Sequence, residues 1–195
     1  MVQNARARID LSDPFAEGPE PLRRIHTLWL EAAGRGLPRI SDLPVDALLP
    51  HMPHLALIES RASVRDAVFR FFGAALIELS GADLTGMALR RAFSEQAAAE
   101  VETQIDWAAS RRLPVLDQMQ PAPCPEHGSC WRLILPVQPA AEGGTRVVAA
   151  FFREGPGARK VQSRSRMSLA AGQKAGHLWA QASRPVPERE IVYLD

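Results

Sequence analysis

Cys124, His127 and Cys130 stand three residues apart in "CPEHGSC", with Glu126 beside them. Thiolates and imidazole are good zinc ligands, and three on one loop would leave a fourth position for water. The same loop could close a Cys124–Cys130 disulfide under oxidation. A zinc motif usually brings two paired half-sites, and here the second half is missing. The plainer reading is a polar hairpin loop before a strand, with Cys130 a small buried residue. A metal- or thiol-dependent redox sensor or enzyme on Cys124, His127 and Cys130 is therefore kept as the alternative, and no metal is assigned.

The other reactive side chains form no familiar constellation. His51 and His54 flank a proline turn with no acidic orienting partner near in sequence, so they read as turn or surface residues. His26 and His177 fall in helix-like segments. The chain has no "CxxCH", P-loop, "GxGxxG" after a strand, "GxSxG" or "HExxH". No catalytic residue is assigned and enzyme activity is not expected. Arg70 interrupts an apolar run; buried, it would need a partner or a ligand anion. Strand alternation lets it point to solvent, which is the expectation. The run "RKVQSRSR" brings Arg159, Lys160, Arg164 and Arg166 together with no acid among them. Such a run could touch phosphates, yet it lacks interleaved aromatics and a reading module. It reads as a solvated linker, and nucleic acid is not an expected partner.

These residues must be held by a chain of 195 residues with 46% hydrophobic and 23% charged residues. That suits one soluble domain with extensions and a core that needs no staples. A net charge of +1 gives no overall pull toward nucleic acid or membrane. No apolar run approaches the roughly 20 residues that span a bilayer, and the N-terminus lacks the apolar core of a secretory signal. Two cysteines make no disulfide framework. A cytoplasmic, reduced protein is expected.

Along the chain, 1–20 is a flexible lead-in. A helix is expected over 21–33, where Leu22, Ile25, Leu28 and Trp29 recur on one face and Pro21 suits the first turn. A second short helix fits 41–53. "HLALIES" and "RDAVFRFFG" read as a hairpin. Strict alternation in the second run sets Val68, Arg70 and Phe72 against Ala67, Phe69 and Phe71. "AALIELSG" is a short helix, and 94–114 a long one with Ala98, Val101, Ile105 and Ala108 as its stripe. "VLDQMQP", "SCWRLILPV" and "TRVVAAFFR" are three further strands. Residues 154–195 form a basic linker and tail. Strand pairs around a helical middle predict an α+β domain over 21–153 with an antiparallel sheet of five strands and helices on one face.

That order resembles the PAS domain: two strands, a few short helices, one longer helix, three strands. More narrowly, the chain resembles a proteobacterial family of mostly single-PAS-domain proteins without a settled activity. The matching stretches are Trp29 in its helix, "GLPRISD", "LLPHMPHLALIES", "FRFFGAALIELSG" and "GADLTG", within about residues 22–153. The resemblance implies that Gly73 lets the second strand turn sharply out of the sheet at little steric cost. It implies that Gly81 and Gly86 allow tight turns, with Asp83 and Thr85 bonding local amides as turn-makers. The photoreactive-cysteine motif "NCRFLQ" of flavin-binding relatives is missing, and the one tyrosine, Tyr193, lies in the tail. The cofactor is left unassigned.

The resemblance further implies a non-catalytic sensory or regulatory module whose signal leaves through a partner protein or a rearranged homodimer. A small ligand would act by binding one arrangement better than the other. Its cavity would be lined by Phe69, Phe71, Ile77, Leu84, Val101, Ile105, Leu133, Leu135 and Val148, with Leu57, Trp107 and Phe151 in the same apolar set, which could equally be plain core. An N-terminal helix laid against the sheet would supply the dimer contact through Leu22, Ile25 and Trp29.

Overall fold

Five extended runs, "VFRFF", "SCWRLILPV" and "TRVVAAFFRE" among them rich in β-branched or aromatic residues, pair into one antiparallel sheet. In a computed structural model that describes residues 18–34, 36–119 and 129–154, they are β1 (Leu55–Ser60), β2 (Val68–Phe72), β3 (Val115–Met119), β4 (Ser129–Val137) and β5 (Thr145–Glu154). Their order is β2-β1-β5-β4-β3. The first and last strands are thus neighbours, paired from Leu55↔Ala150 to Ser60↔Thr145. The expected five-stranded α+β architecture is present. The lead-in before residue 18, Cys124, His127, the basic run and the tail lie outside the described residues.

Both faces of the central strands are buried, which explains why β1, β4 and β5 read as apolar runs with weak alternation. One face carries α3 (Ala74–Ser80), α4 (Leu89–Ala92) and α5 (Glu95–Arg111). Ala97, Ala98, Val101, Ile105 and Ala108 of α5 are buried in one cluster with Ala56, Ile58, Ile134, Val147 and Ala149. Ser94 caps α5 by accepting the Ala97 N–H at 3.4 Å. The other face carries α1 (Glu20–Ala33), whose Leu22, Ile25, Leu28 and Trp29 share a cluster with Leu133, Leu135, Val137, Val148 and Ala150. The segment expected as one short helix is split into a 3-10 turn at Ile40–Asp42, α2 (Val45–Leu48) and a 3-10 turn at Leu49–His54, because Pro44, Pro50 and Pro53 interrupt the bonding.

Trp29 fixes α1 in place. Its Nε1–H donates to the Pro136 carbonyl at 2.8 Å in a buried contact. β4 runs on past its last pair with β3, Val115↔Ile134. A proline without an N–H is tolerated there, where the ladder has a partner on one side only.

The alternation expected for β2 is broken. Leu57 faces Phe71 while Ile58 faces Phe69, so Arg70 is an extra residue, a β-bulge. Phe69 and Phe72 therefore share the α3–α5 face, with ring centroids 5.2 Å apart, and Phe71 packs on the α1 face. Beyond the bulge, 86–89 seals the outer edge of β2. Phe69 N–H donates to Met87 O, Gly86 N–H to Phe69 O, and Leu89 N–H to Ala67 O, at 3.1, 2.7 and 2.8 Å.

Gly73 is required, but for a different reason from the one the resemblance implies. Its φ of −70° and ψ of 155° suit any residue. A Cβ there would lie 2.4 Å from both the Met52 and Pro53 carbonyl oxygens, so the position needs an absent side chain where two backbones touch. Gly81, at φ 74°, does need left-handed freedom to end α3. Asp83 Oδ1 accepts the Thr85 N–H at 2.9 Å, the turn contact expected of that pair. Gly73→Ala should cost about 2–3 kcal/mol of unfolding free energy. Gly36→Ala, with nothing within 4 Å of the added methyl, should stay within about 0.5 kcal/mol. Urea unfolding of both variants measures the difference.

Candidate functional site

The layer between the sheet and α3–α5 holds the polar groups most costly to bury. On β4, Trp131, Leu133 and Leu135 face α1, so Cys130, Arg132 and Ile134 face α5. Arg132 is only 4% exposed. Its cross-strand neighbour is Asp117 of β3. Arg132 Nε donates to Asp117 Oδ1 at 3.1 Å and Nη2 to Oδ2 at 2.5 Å, a two-pronged pair. Nη2 also donates to the Gln104 Oε1 of α5, and Gln104 Nε2 donates back to Asp117 Oδ2 at 3.2 Å. Helix and sheet are thus joined by a closed ring of polar bonds. A buried charge pair of this kind seldom gains more stability than apolar packing would, so its geometry is the notable product.

A second two-pronged pair sits one layer out. Arg90 of α4 donates through Nε and Nη2 to Glu102 of α5 at 2.6 and 2.7 Å. Glu102 is 5% exposed, whereas nearly half of the Arg90 side chain meets solvent. The hydrogen bonds to Glu102 hold the Arg90 guanidinium above its ordinary range.

The nine residues expected to line one cavity are divided by the sheet. Phe69, Leu84, Val101 and Ile105 are buried on the α3–α5 side, with Ile77 packed against them. Leu133, Leu135 and Val148 are buried on the α1 side, with Phe71 partly buried beside them. Of the wider set, Trp107 and Phe151 join the first group and Leu57 the second. The two groups face opposite sides because β4 and β5 alternate through a sheet covered twice, and because the Arg70 bulge turns Phe71 away from Phe69. Leu22, Ile25 and Trp29, expected at a dimer contact, are 1%, 2% and 5% exposed against the chain's own sheet. The apolar side chains left exposed nearby in sequence are Leu30, Ile40, Val45 and Leu49.

Arg70 points outward as expected, its side chain 44% exposed and its Nε donating to Glu59 at 2.9 Å. His54 stacks on Phe152 at 4.5 Å, and His51 meets the same ring edge-on at 6.2 Å. Burial holds the His54 imidazole below its usual range, against a hydrogen bond to the Phe151 backbone that raises it. Of the "CPEHGSC" trio only Cys130 lies within the described residues, and it is buried. Burial pushes its thiol up to about 11, only partly offset by Arg153 and Arg132. No cluster of three metal-ligating side chains occurs among the described residues. No helix among them is long and apolar enough to cross a membrane.

Sheet order, the helical layer between β2 and β3, and the α1 face agree with one family. A model described as PAS domain matches residues 18–151. The chain belongs to the PAS-domain family. No curated protein matches it. A solved structure similar to this PAS chain is a domain of an HTR-like protein from Haloarcula marismortui ATCC 43049. The two share 12% identity at a TM-score of 0.38, over 50% of this chain and 96% of that one. At that level the likeness adds nothing to the assignment.

Sequence reasoning missed the Gln104–Asp117–Arg132 ring of this PAS domain. The signal was an arginine inside "WRLIL", a strand apolar on both sides of it. Arg132→Met alone should destabilise by about 3 kcal/mol, because it strands Asp117. Arg132→Met with Asp117→Leu should recover most of that loss. Thermal unfolding of the single and double variants checks the cycle. Thiol labelling of Cys130 in the native state should be slow at pH 7, where about one molecule in 10,000 carries the thiolate. Labelling should quicken as pH approaches 11. The folded thiol binds its proton more tightly than the unfolded one, so Cys130 also costs stability once pH passes about 8.5. Fast native labelling at pH 7 would contradict the burial.

Proposed function

We propose that this PAS domain is a non-catalytic sensory or regulatory module that binds a small ligand or a partner protein and signals through protein–protein contacts. The observation that carries the reading is the closed ring of Arg132, Asp117 and Gln104 between sheet and α5. Each charged group in it is engaged by another, so the ring transmits position and offers no free group to a reacting atom. A ligand or partner that moved α5 against β3 and β4 would have to reorder together the two bonds that Gln104 makes to the sheet. Such a switch has two defined arrangements and no continuous range between them. A ligand shifts it only by as much as it prefers one arrangement.

The partner contact finds support in Leu30, Ile40, Val45 and Leu49, which leave apolar surface on α1 and the turns after it. A homodimer is one occupant of that surface and a separate signalling protein another. The metal or thiol alternative draws no support from Cys130, whose thiol stays protonated near neutral pH.

Native mass spectrometry of the freshly purified full chain reads ligand, metal and stoichiometry together. A retained organic mass or a dimer is the expected result. A monomer carrying zinc and no other mass would favour the Cys124, His127 and Cys130 alternative and remove this reading.

A further inference from the structure

The Arg70 bulge does more than reorient phenylalanines. Beside it lies a half-open recess of about 290 Å³ at the end of the β1–β2 ribbon, lined by Glu59, Ser60, Arg61, Ala62, Asp66, Val68 and Arg70. Bulges are enriched beside binding sites because they re-aim a side chain out of the ladder. Here the re-aimed side chain is an arginine held by one nitrogen. Its Nε donates to Glu59, and Nη1 and Nη2 have no protein acceptor among the described residues. That leaves the planar end of the guanidinium oriented and open. Glu59 is also held from behind by Arg146 Nη2 at 3.4 Å, and the Arg146 Nε is buried without an acceptor. Each Glu59 oxygen thus already faces a guanidinium, Oε2 that of Arg70 and Oε1 that of Arg146.

Two more charges line the recess, Arg61 and Asp66, and neither side chain makes a hydrogen bond or ion pair among the described residues. Asp66 feels Arg90 only at longer range. The lining therefore balances two cations, Arg61 and Arg70, against two anions, Glu59 and Asp66. Among the described residues, the groups with donors or acceptors still open are the Arg61 guanidinium, the outer end of the Arg70 guanidinium and the Asp66 carboxylate. A bare anion would be drawn to the two guanidiniums and repelled by the carboxylate. A molecule carrying both charges satisfies all three.

We infer that the recess binds a small zwitterion of the amino-acid class. Its carboxylate lies on the open fork of Arg70 with Arg61 beside it, and its ammonium meets Asp66. Fork-to-carboxylate pairing is the geometry in which arginine outperforms lysine. The volume stands at the low end of ligand pockets, which suits a free amino acid better than a nucleotide. The site is separate from the interior ring. A silent recess would leave the sensory reading standing, and a bare monomer in native mass spectrometry would leave this site untouched.

Amide chemical shifts of the full chain titrated with L-alanine and L-glutamate test it, with acetate and methylammonium as single-charge controls at matched ionic strength. Saturable shifts within residues 59–70 are expected for the amino acids alone. Asp66→Asn and Arg61→Gln should each raise the dissociation constant about tenfold. Neither side chain makes a hydrogen bond or ion pair among the described residues, so the variants should keep the wild-type melting temperature, which is measured alongside. Acetate binding as tightly as the amino acids, an unchanged constant in Asp66→Asn, or no saturable shift at millimolar ligand would each overturn the assignment.

Discussion

A sheet covered on both sides is the constraint from which the rest follows. With α1 on one face and α3–α5 on the other, β1, β4 and β5 have no wet face, so inward and outward residues must both be apolar. Any polar side chain placed there must bring its own partner, since an unpaired charge in that position costs several kcal/mol. Arg132 meets the demand through Asp117 and Gln104. Polar residues become affordable without such a ring only at the ends of the ribbon, and Glu59, Arg70 and Arg146 gather there.

Much of this was legible in the residues. The order of strands and helices followed from apolar runs bounded by proline and glycine, and the α1 stripe of Leu22, Ile25, Leu28 and Trp29 named its buried side correctly. The outward Arg70 and the turn-making Asp83 also read true. The bulge did not. "VFRFF" satisfies strict alternation as well as it satisfies a one-residue slip, and only the partner strand decides between them. The cavity set mixed residues of two faces for the same cause: in strands apolar throughout, a period of two leaves no mark. "LALI" and "RVVAAFF" were themselves the sign of double covering.

Gly73 shows how a right residue can carry a wrong reason. Glycine in a sequence suggests unusual dihedrals, because that freedom belongs to the residue alone. The contact with the Met52 and Pro53 carbonyls depends on a segment twenty residues earlier folding back, which no local pattern records. The Gln104–Asp117–Arg132 ring is nonlocal in the same way, since 13 and 28 positions separate its hydrogen-bonded members from Gln104.

The seat of α1 has a consequence for how the protein is made. Leu22, Ile25 and Trp29 are synthesised over a hundred residues before Leu133, Leu135, Pro136 and Val148, on which they rest. Until β4 and β5 are made that amphipathic helix has nowhere to dock, and β1 likewise waits for β5. The nascent chain therefore carries this apolar surface uncovered over a long stretch of synthesis, the condition under which folding intermediates tend to aggregate.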